Sequence, residues 1–182
     1  ICPVLDELSV DESTRILRKY GNSLKFLSLQ GYFRGVREGF VYSKKFVRGI
    51  GNAIKLSDVV VFSDEDIPNY RSFVERYKEY AEIFVVTMGR KGAKIFEKSK
   101  ERDVPIYERA KRIDPTGAGD TFLSAMATRY METSDIYESC LFASCAASVV
   151  IEGKWINAIM KCKNFREVVE DRLGELKDAL QI

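Results

Sequence analysis

The chain is expected to fold as an α/β sandwich on a largely parallel sheet. Three observations carry this expectation. Val59–Phe62 and Ile83–Thr87 are short, unbroken apolar runs rich in β-branched residues. Helical patterns alternate with them, and the glycine turn Gly117-Ala118-Gly119 opens a further helix. Unbroken apolar strands are buried on both faces, and their alternation with helices builds a layered domain. The chain has 182 residues, 46% of them hydrophobic, enough to bury a core as one domain.

Each element has its own warrant. Asp11 to Tyr20 reads as a short helix with Ile16 and Leu17 inward and Gly21 as its stop. Phe26 to Leu29 is a short strand. Gly31, Gly35 and Gly39 mark a loop around Tyr32, Phe33 and Arg34, and Phe46 to Ile54 is weakly helical. The strand Val59–Phe62 runs into an acidic cluster, Asp64, Glu65 and Asp66. Tyr70 to Tyr80 is helical, Ile83 to Thr87 is the second buried strand, and Gly89 and Gly92 turn the chain into a strand from Ala93 to Phe96. The mixed charges from Glu97 to Asp103 read as a solvated turn. Asp120 to Met131 and Ile136 to Ile151 are helices, the second apolar around most of its surface and expected to be central. Phe165 to Leu180 is amphipathic, with Val168, Val169, Leu173, Leu176 and Leu180 on one face.

Composition removes whole classes of function. Lys and Arg number 29 against 27 Asp and Glu, a net charge of +2, so no general attraction to nucleic acid is expected. No apolar run approaches the roughly 20 residues that span a bilayer, so no membrane partner is expected. The four cysteines, Cys2, Cys140, Cys145 and Cys162, form no C-x-x-C pair. They read as reduced, buried thiols of a cytoplasmic protein. Histidine is absent. That excludes Ser-His-Asp and Cys-His catalysis and every histidine-containing zinc site, and leaves Asp, Glu, Lys, Tyr or Cys as general base.

The segment from Ile113 to Phe122 is the richest in chemistry. Its glycines permit tight turning and close approach of a ligand, and the helix that follows offers unpaired amides to an anion. Asp120 lies beside that anion site. A carboxylate there disfavours phosphate binding but suits removal of a proton from a hydroxyl that attacks phosphate. A plain strand-to-helix connection would use the same Gly-Ala-Gly. G-x-x-x-x-G-K-[ST] is absent, and the third glycine of a dinucleotide fingerprint is Phe122, which argues against an oxidoreductase.

Asp114-x-x-Gly117-Ala118-Gly119-Asp120 resembles the signature of the ribokinase-like (PfkB) carbohydrate kinases. The resemblance implies that Gly117, Ala118 and Gly119 amides form an anion hole and that Asp120 is the catalytic base. Thr87-Met88-Gly89-Arg90-Lys91-Gly92 resembles the family's T-x-G-x-x-G turn, which places Thr87, Gly89 and Gly92, together with Asp114, among nucleotide-binding residues. Ser63-Asp64-Glu65-Asp66 stands where the family has N-E-x-E, which implies Asp64 and Asp66 as holders of hydrated Mg²⁺. A helix start favourable to the dipole accounts equally for these acids. Gln30-Gly31-Tyr32-Phe33-Arg34 also resembles a family segment and receives no chemistry.

The resemblance implies a three-layer ribokinase-like fold, of which residues 1–182 are the nucleotide-binding and catalytic part. A glycine-rich sugar-binding region and a β-sheet lid, placed by the family in a further N-terminal portion, have no counterpart here. The implied function is transfer of a phosphoryl group from ATP, with Mg²⁺, to a hydroxyl of a sugar or nucleoside. A catalytically silent nucleotide- or phosphate-binding module is the alternative. Unpaired sheet edges leave a homodimer possible.

Overall fold

The structure is a computed structural model and describes residues 1–98, 100–153, 159, 162 and 164–182. The chain divides into two compact units, residues 1–89 with 94–102 and residues 90–93 with 103–182.

The first unit begins with α1 (Val10–Lys19), closed by a capping box in which Ser9 and Glu12 satisfy each other's backbone amides. Leu17 is buried as expected, whereas Ile16 is 39% exposed. Here Ser13 takes the inward place, accepting the Tyr32 hydroxyl, so a polar pair occupies the position assigned to Ile16. The first strand, β1 (Phe26–Ser28), is followed by a helical turn, α2 (Gln30–Phe33). The expected loop after it is instead a hairpin, β2 (Arg34–Arg37) and β3 (Phe40–Ser43). Its two-residue connection, Glu38-Gly39, has positive φ at both positions, the twist that joins antiparallel strands. All four residues of β3 are exposed, so no inward-outward alternation announces the hairpin.

After α3 (Ile50–Ile54) come β4 (Val59–Ser63), α4 (Tyr70–Tyr77), β5 (Ile83–Thr87), a 3₁₀ turn (Gly89–Lys91), β6 (Ala93–Glu97) and β7 (Lys100–Val104). The sheet order is β1-β4-β5-β6-β7, with β1, β4 and β5 parallel. The first four residues of both β4 and β5 are buried, as the unbroken apolar runs predict. Leu27, Leu29, Ile54, Val60, Phe62, Phe84 and Val86 lie in one core with Phe33 and Val74. The charge run holds a turn at Lys98, after the end of β6 at Glu97, but from Lys100 on it is an edge strand. Glu101 on β7 pairs with Arg71 of α4 and Lys94 of β6, and Val104 is fully buried. Charged side chains are a common way to protect an edge.

The second unit contains α5 (Ala118–Thr133), α6 (Ile136–Val150) and α7 (Phe165–Leu180). The middle helix packs against both others and is buried along most of its length. Asp135 caps it through the amides of Tyr137 and Glu138. On α7, Val169, Leu173 and Leu176 are buried, while Leu180 lies exposed in the final turn. The cysteines are free. Cys140 and Cys145 are buried, but Cys2 is exposed and Cys162 half-buried, so only two are the expected core thiols. Burial pushes the Cys145 thiol up to about 12 and Cys140 higher still. Among the described residues, no helix is long and apolar enough to cross a membrane.

Candidate active site

In the second unit, the turn before α5 is built by local hydrogen bonds. Asp114 Oδ1 accepts the Thr116 amide at 2.9 Å, so the aspartate shapes its own turn. The Ile113 and Asp114 amides both donate to the Ile151 carbonyl at the end of α6, at 2.6 and 3.1 Å. Gly117 then caps α5 with φ 83°, a left-handed conformation that costs an L side chain about 1–2 kcal/mol. Gly119 is an ordinary helical residue in the first turn.

The first intrahelical bond of α5 runs from Thr121 N–H to the Gly117 carbonyl at 3.0 Å. Ala118, Gly119 and Asp120 therefore carry the opening amides of the helix, which starts at a glycine with no side chain of its own to cap them. The Ala118 amide donates to the Pro115 carbonyl at 3.1 Å. Asp120 and Gly119 are exposed, and Gly117 and Ala118 are half-buried. The turn thus presents a positive helix end with one carboxylate at its rim.

The other expected site residues fall at the ends of strands. In the first unit, β4 and β5 pair in register to Ser63 and Thr87, and the Asp64 amide donates to the Thr87 carbonyl at 3.0 Å. This brings together the acidic cluster and the start of the Thr87–Gly92 turn. Asp64 is half-buried beside Thr87. Asp66 is buried and its two carboxylate oxygens take Arg34 Nε at 2.7 Å and Nη2 at 3.3 Å. Gly89 has open space where a Cβ would stand. Gly92 is different: with φ +87°, a Cβ there would strike the Val104 carbonyl, so close backbone approach demands glycine whatever binds nearby.

No three His, Cys, Asp or Glu side chains among the described residues converge as a metal cage. A single half-buried carboxylate suits Mg²⁺, which keeps several waters and takes one or two carboxylates with phosphate oxygens. Asp64 fits that role directly. Asp66 fits it only in competition with Arg34.

Sequence reasoning passed over three contributors. Arg34 lies 32 residues from its carboxylate, and Ile151 acts through a backbone carbonyl. Glu152 accepts the Lys111 amide from 41 residues away. Ile151 and Glu152 leave no periodic or motif signal, and Arg34 lies in the family-like segment Gln30-Gly31-Tyr32-Phe33-Arg34, to which no chemistry is given.

In sequence and in fold the chain is similar to known kinases. A family model described as pfkB family carbohydrate kinase matches residues 51–158, more than half of the chain. A nucleoside kinase of Methanocaldococcus jannaschii is 35% identical over 81 residues, 44% of this chain and 27% of that protein. The solved structure of a nucleoside kinase from the same organism, an archaeal member of the ribokinase family, superposes with a TM-score of 0.73 at 22% identity, covering 92% of this chain and 54% of that one. An Arabidopsis thaliana ribokinase solved with ribose and ATP gives a TM-score of 0.72 at 19% identity, covering 90% and 52%. The chain spans about half the length of the solved structures it matches and a smaller share of the nucleoside kinase sequence.

Proposed function

Since the chain belongs to the pfkB family of carbohydrate kinases, we propose that it carries out the phosphoryl-transfer chemistry of an ATP-dependent sugar or nucleoside kinase. The carrying observation is a carboxylate, Asp120, in the first turn of a helix opened by Gly117, a cap residue with no side chain. Histidine is absent, so an aspartate is available where a base is needed.

In this reading a substrate hydroxyl lies against Asp120. The carboxylate takes the hydroxyl proton as the oxygen attacks the γ-phosphorus, and ADP leaves. The Gly117, Ala118 and Gly119 amides stabilise the equatorial oxygens of the transferring group. For Ala118 this requires its N–H to leave the Pro115 carbonyl for a phosphate oxygen. Thr87, Gly89, Gly92 and Asp114 are assigned to the nucleotide. Asp64 and Asp66 are assigned to hydrated Mg²⁺, which when bound neutralises charge on the phosphates. General base catalysis supplies roughly 10²–10⁴ in rate, and positioning and electrostatics supply most of the remainder.

Release of ADP from ATP and Mg²⁺ in the presence of a panel of sugars and nucleosides tests the proposal. Asp120→Asn is expected to lower turnover by at least about 10², with ATP affinity retained. Turnover within threefold of the parent would remove Asp120 from the chemistry.

The Arg34–Asp66 pair favours a second reading, a nucleotide-binding module without transfer activity, because it occupies a carboxylate assigned to metal. Binding of ATP without acceptor-dependent ADP release would select it.

A further inference from the structure

The catalytic turn hangs from a long irregular segment. Between the end of β7 and the start of α5, residues 105–117 contain neither helix nor strand. A segment of this kind is as rigid as its attachments make it. Its attachments in the second unit converge on α6 and α7. Ser144 Oγ donates to the Pro105 carbonyl at 2.8 Å. The Tyr107 ring lies 4.9 Å beneath the Arg172 guanidinium, and its hydroxyl donates to Glu175 at 2.7 Å. The Lys111 amide donates to Glu152 Oε1 at 3.0 Å.

Glu152 is the bridge in this arrangement. One carboxylate oxygen holds the Lys111 amide, and the other takes Arg172 Nη2 at 2.5 Å. Arg172 Nη1 reaches Ser148 Oγ at 2.7 Å, and Ser148 donates onward to the Cys145 carbonyl. A guanidinium can meet two acceptors and a ring face at once, a combination that an ammonium cannot reproduce. The Arg172 side chain is only 15% exposed, so its pair with Glu152 is shielded from water far more than an open surface pair. Three residues beyond Lys111, Asp114 starts the turn that ends at Asp120.

We propose that Glu152 and Arg172 are positioning residues for the phosphate-binding turn, acting through the Lys111 amide rather than by touching substrate. The inference rests on the reading of Gly117–Asp120 as a phosphate site. Without Glu152 the Lys111 amide loses this acceptor and Arg172 loses its carboxylate partner, while the Ile151 carbonyl still takes the Ile113 and Asp114 amides.

Amide hydrogen exchange on the 182-residue chain, with and without ATP and Mg²⁺ as the probe, tests this. Without nucleotide, Glu152→Ala is expected to speed exchange at Lys111, Ile113 and Asp114 by about tenfold or more, leaving β4 and β5 unchanged. Arg172→Lys is expected to fall between the parent and Glu152→Ala. With nucleotide, the parent should gain protection at Gly119 and Asp120. Glu152→Ala should need about tenfold more ATP for the same protection there. A brace that merely stabilises the unit would shift the thermal midpoint and leave that ATP dependence alone. Unchanged exchange at Lys111, or an unchanged ATP dependence at Gly119 and Asp120, would overturn the proposal. Absence of any protection at Gly119 and Asp120 in the parent would instead overturn the phosphate-site reading. If Glu152→Ala does not fold, Arg172→Lys and Glu152→Gln carry the same comparison. Gln keeps the acceptor for Lys111 but loses the charge that faces Arg172.

Discussion

Gly117 and Gly119 are two residues apart and do different work. Gly117 supplies a left-handed φ of 83°, and Gly119 sits in the exposed first turn of α5. Gly117→Ala is therefore expected to cost about 1–2 kcal/mol in stability through backbone strain. Gly119→Val should change stability less and instead obstruct the space in front of the helix end. Thermal unfolding beside ATP turnover separates them. Equal destabilisation by both would mean that strain, rather than ligand access, governs the turn.

Asp64 and Asp66 also divide at this scale. Asp66 is engaged by Arg34, whereas Asp64 is half-buried beside the Thr87 carbonyl. Titration of Mg²⁺ is expected to show a requirement raised several-fold, about 3–10, by Asp64→Ala and less by Asp66→Ala. Asp66→Ala should chiefly destabilise, because it leaves the Arg34 guanidinium without its partner. If neither variant shifts the Mg²⁺ requirement, the acids serve only to start the following turn.

Among elements, β7 shows how an edge strand can be made of charged residues. Lys100 to Asp103 are exposed, and Glu101 ties the edge to α4 and β6. Hydrogen bonds from Arg71 and then Lys94 hold the Glu101 carboxyl down from its ordinary 4.5 to about 2. A carboxyl lowered by folding adds stability that is complete above its unfolded value and lost as pH falls through the folded one. The window therefore runs from 4.5 down to about 2. Glu101 and Arg71 are both partly solvated, so the effect is modest. Glu101→Gln should lower the thermal midpoint at neutral pH by no more than about 2 °C and flatten its decline in acid. A decline as steep as the parent's through that window would place the acid sensitivity elsewhere.

At the scale of the molecule, the chain matches just over half of the ribokinase-family structure it resembles. The residues assigned to ATP lie in the Thr87–Gly92 turn and in the turn before α5, all within residues 1–182. Efficient transfer also needs a held acceptor and exclusion of water. Residues 1–182 alone are therefore expected to bind ATP weakly, with a dissociation constant of about 0.1–1 mM or above, and to transfer phosphoryl groups slowly at best. Calorimetry with ATP and an acceptor panel checks both. Saturable transfer at about 1 s⁻¹ or faster would show that these residues suffice.

Local order in the sequence determined the strands Val59–Ser63 and Ile83–Thr87, the terminal helix Phe165–Leu180 and the glycine turn before α5. Unbroken apolar runs, a 3.6-residue period and a glycine pair are properties of neighbouring residues, so they can be read along the chain. The same local reading took all of Glu97 to Asp103 for a turn, because nothing in a charged run shows that its later part lies beside β6 as a strand. It also missed the β2–β3 hairpin, whose second strand buries nothing. Only the tertiary structure decided that Arg34 claims Asp66, that the Val104 carbonyl forbids a side chain at Gly92, and that Ile151 and Glu152 carry the approach to Asp120. These are contacts between residues tens of positions apart or through backbone atoms, and neither kind leaves a pattern in the order of side chains.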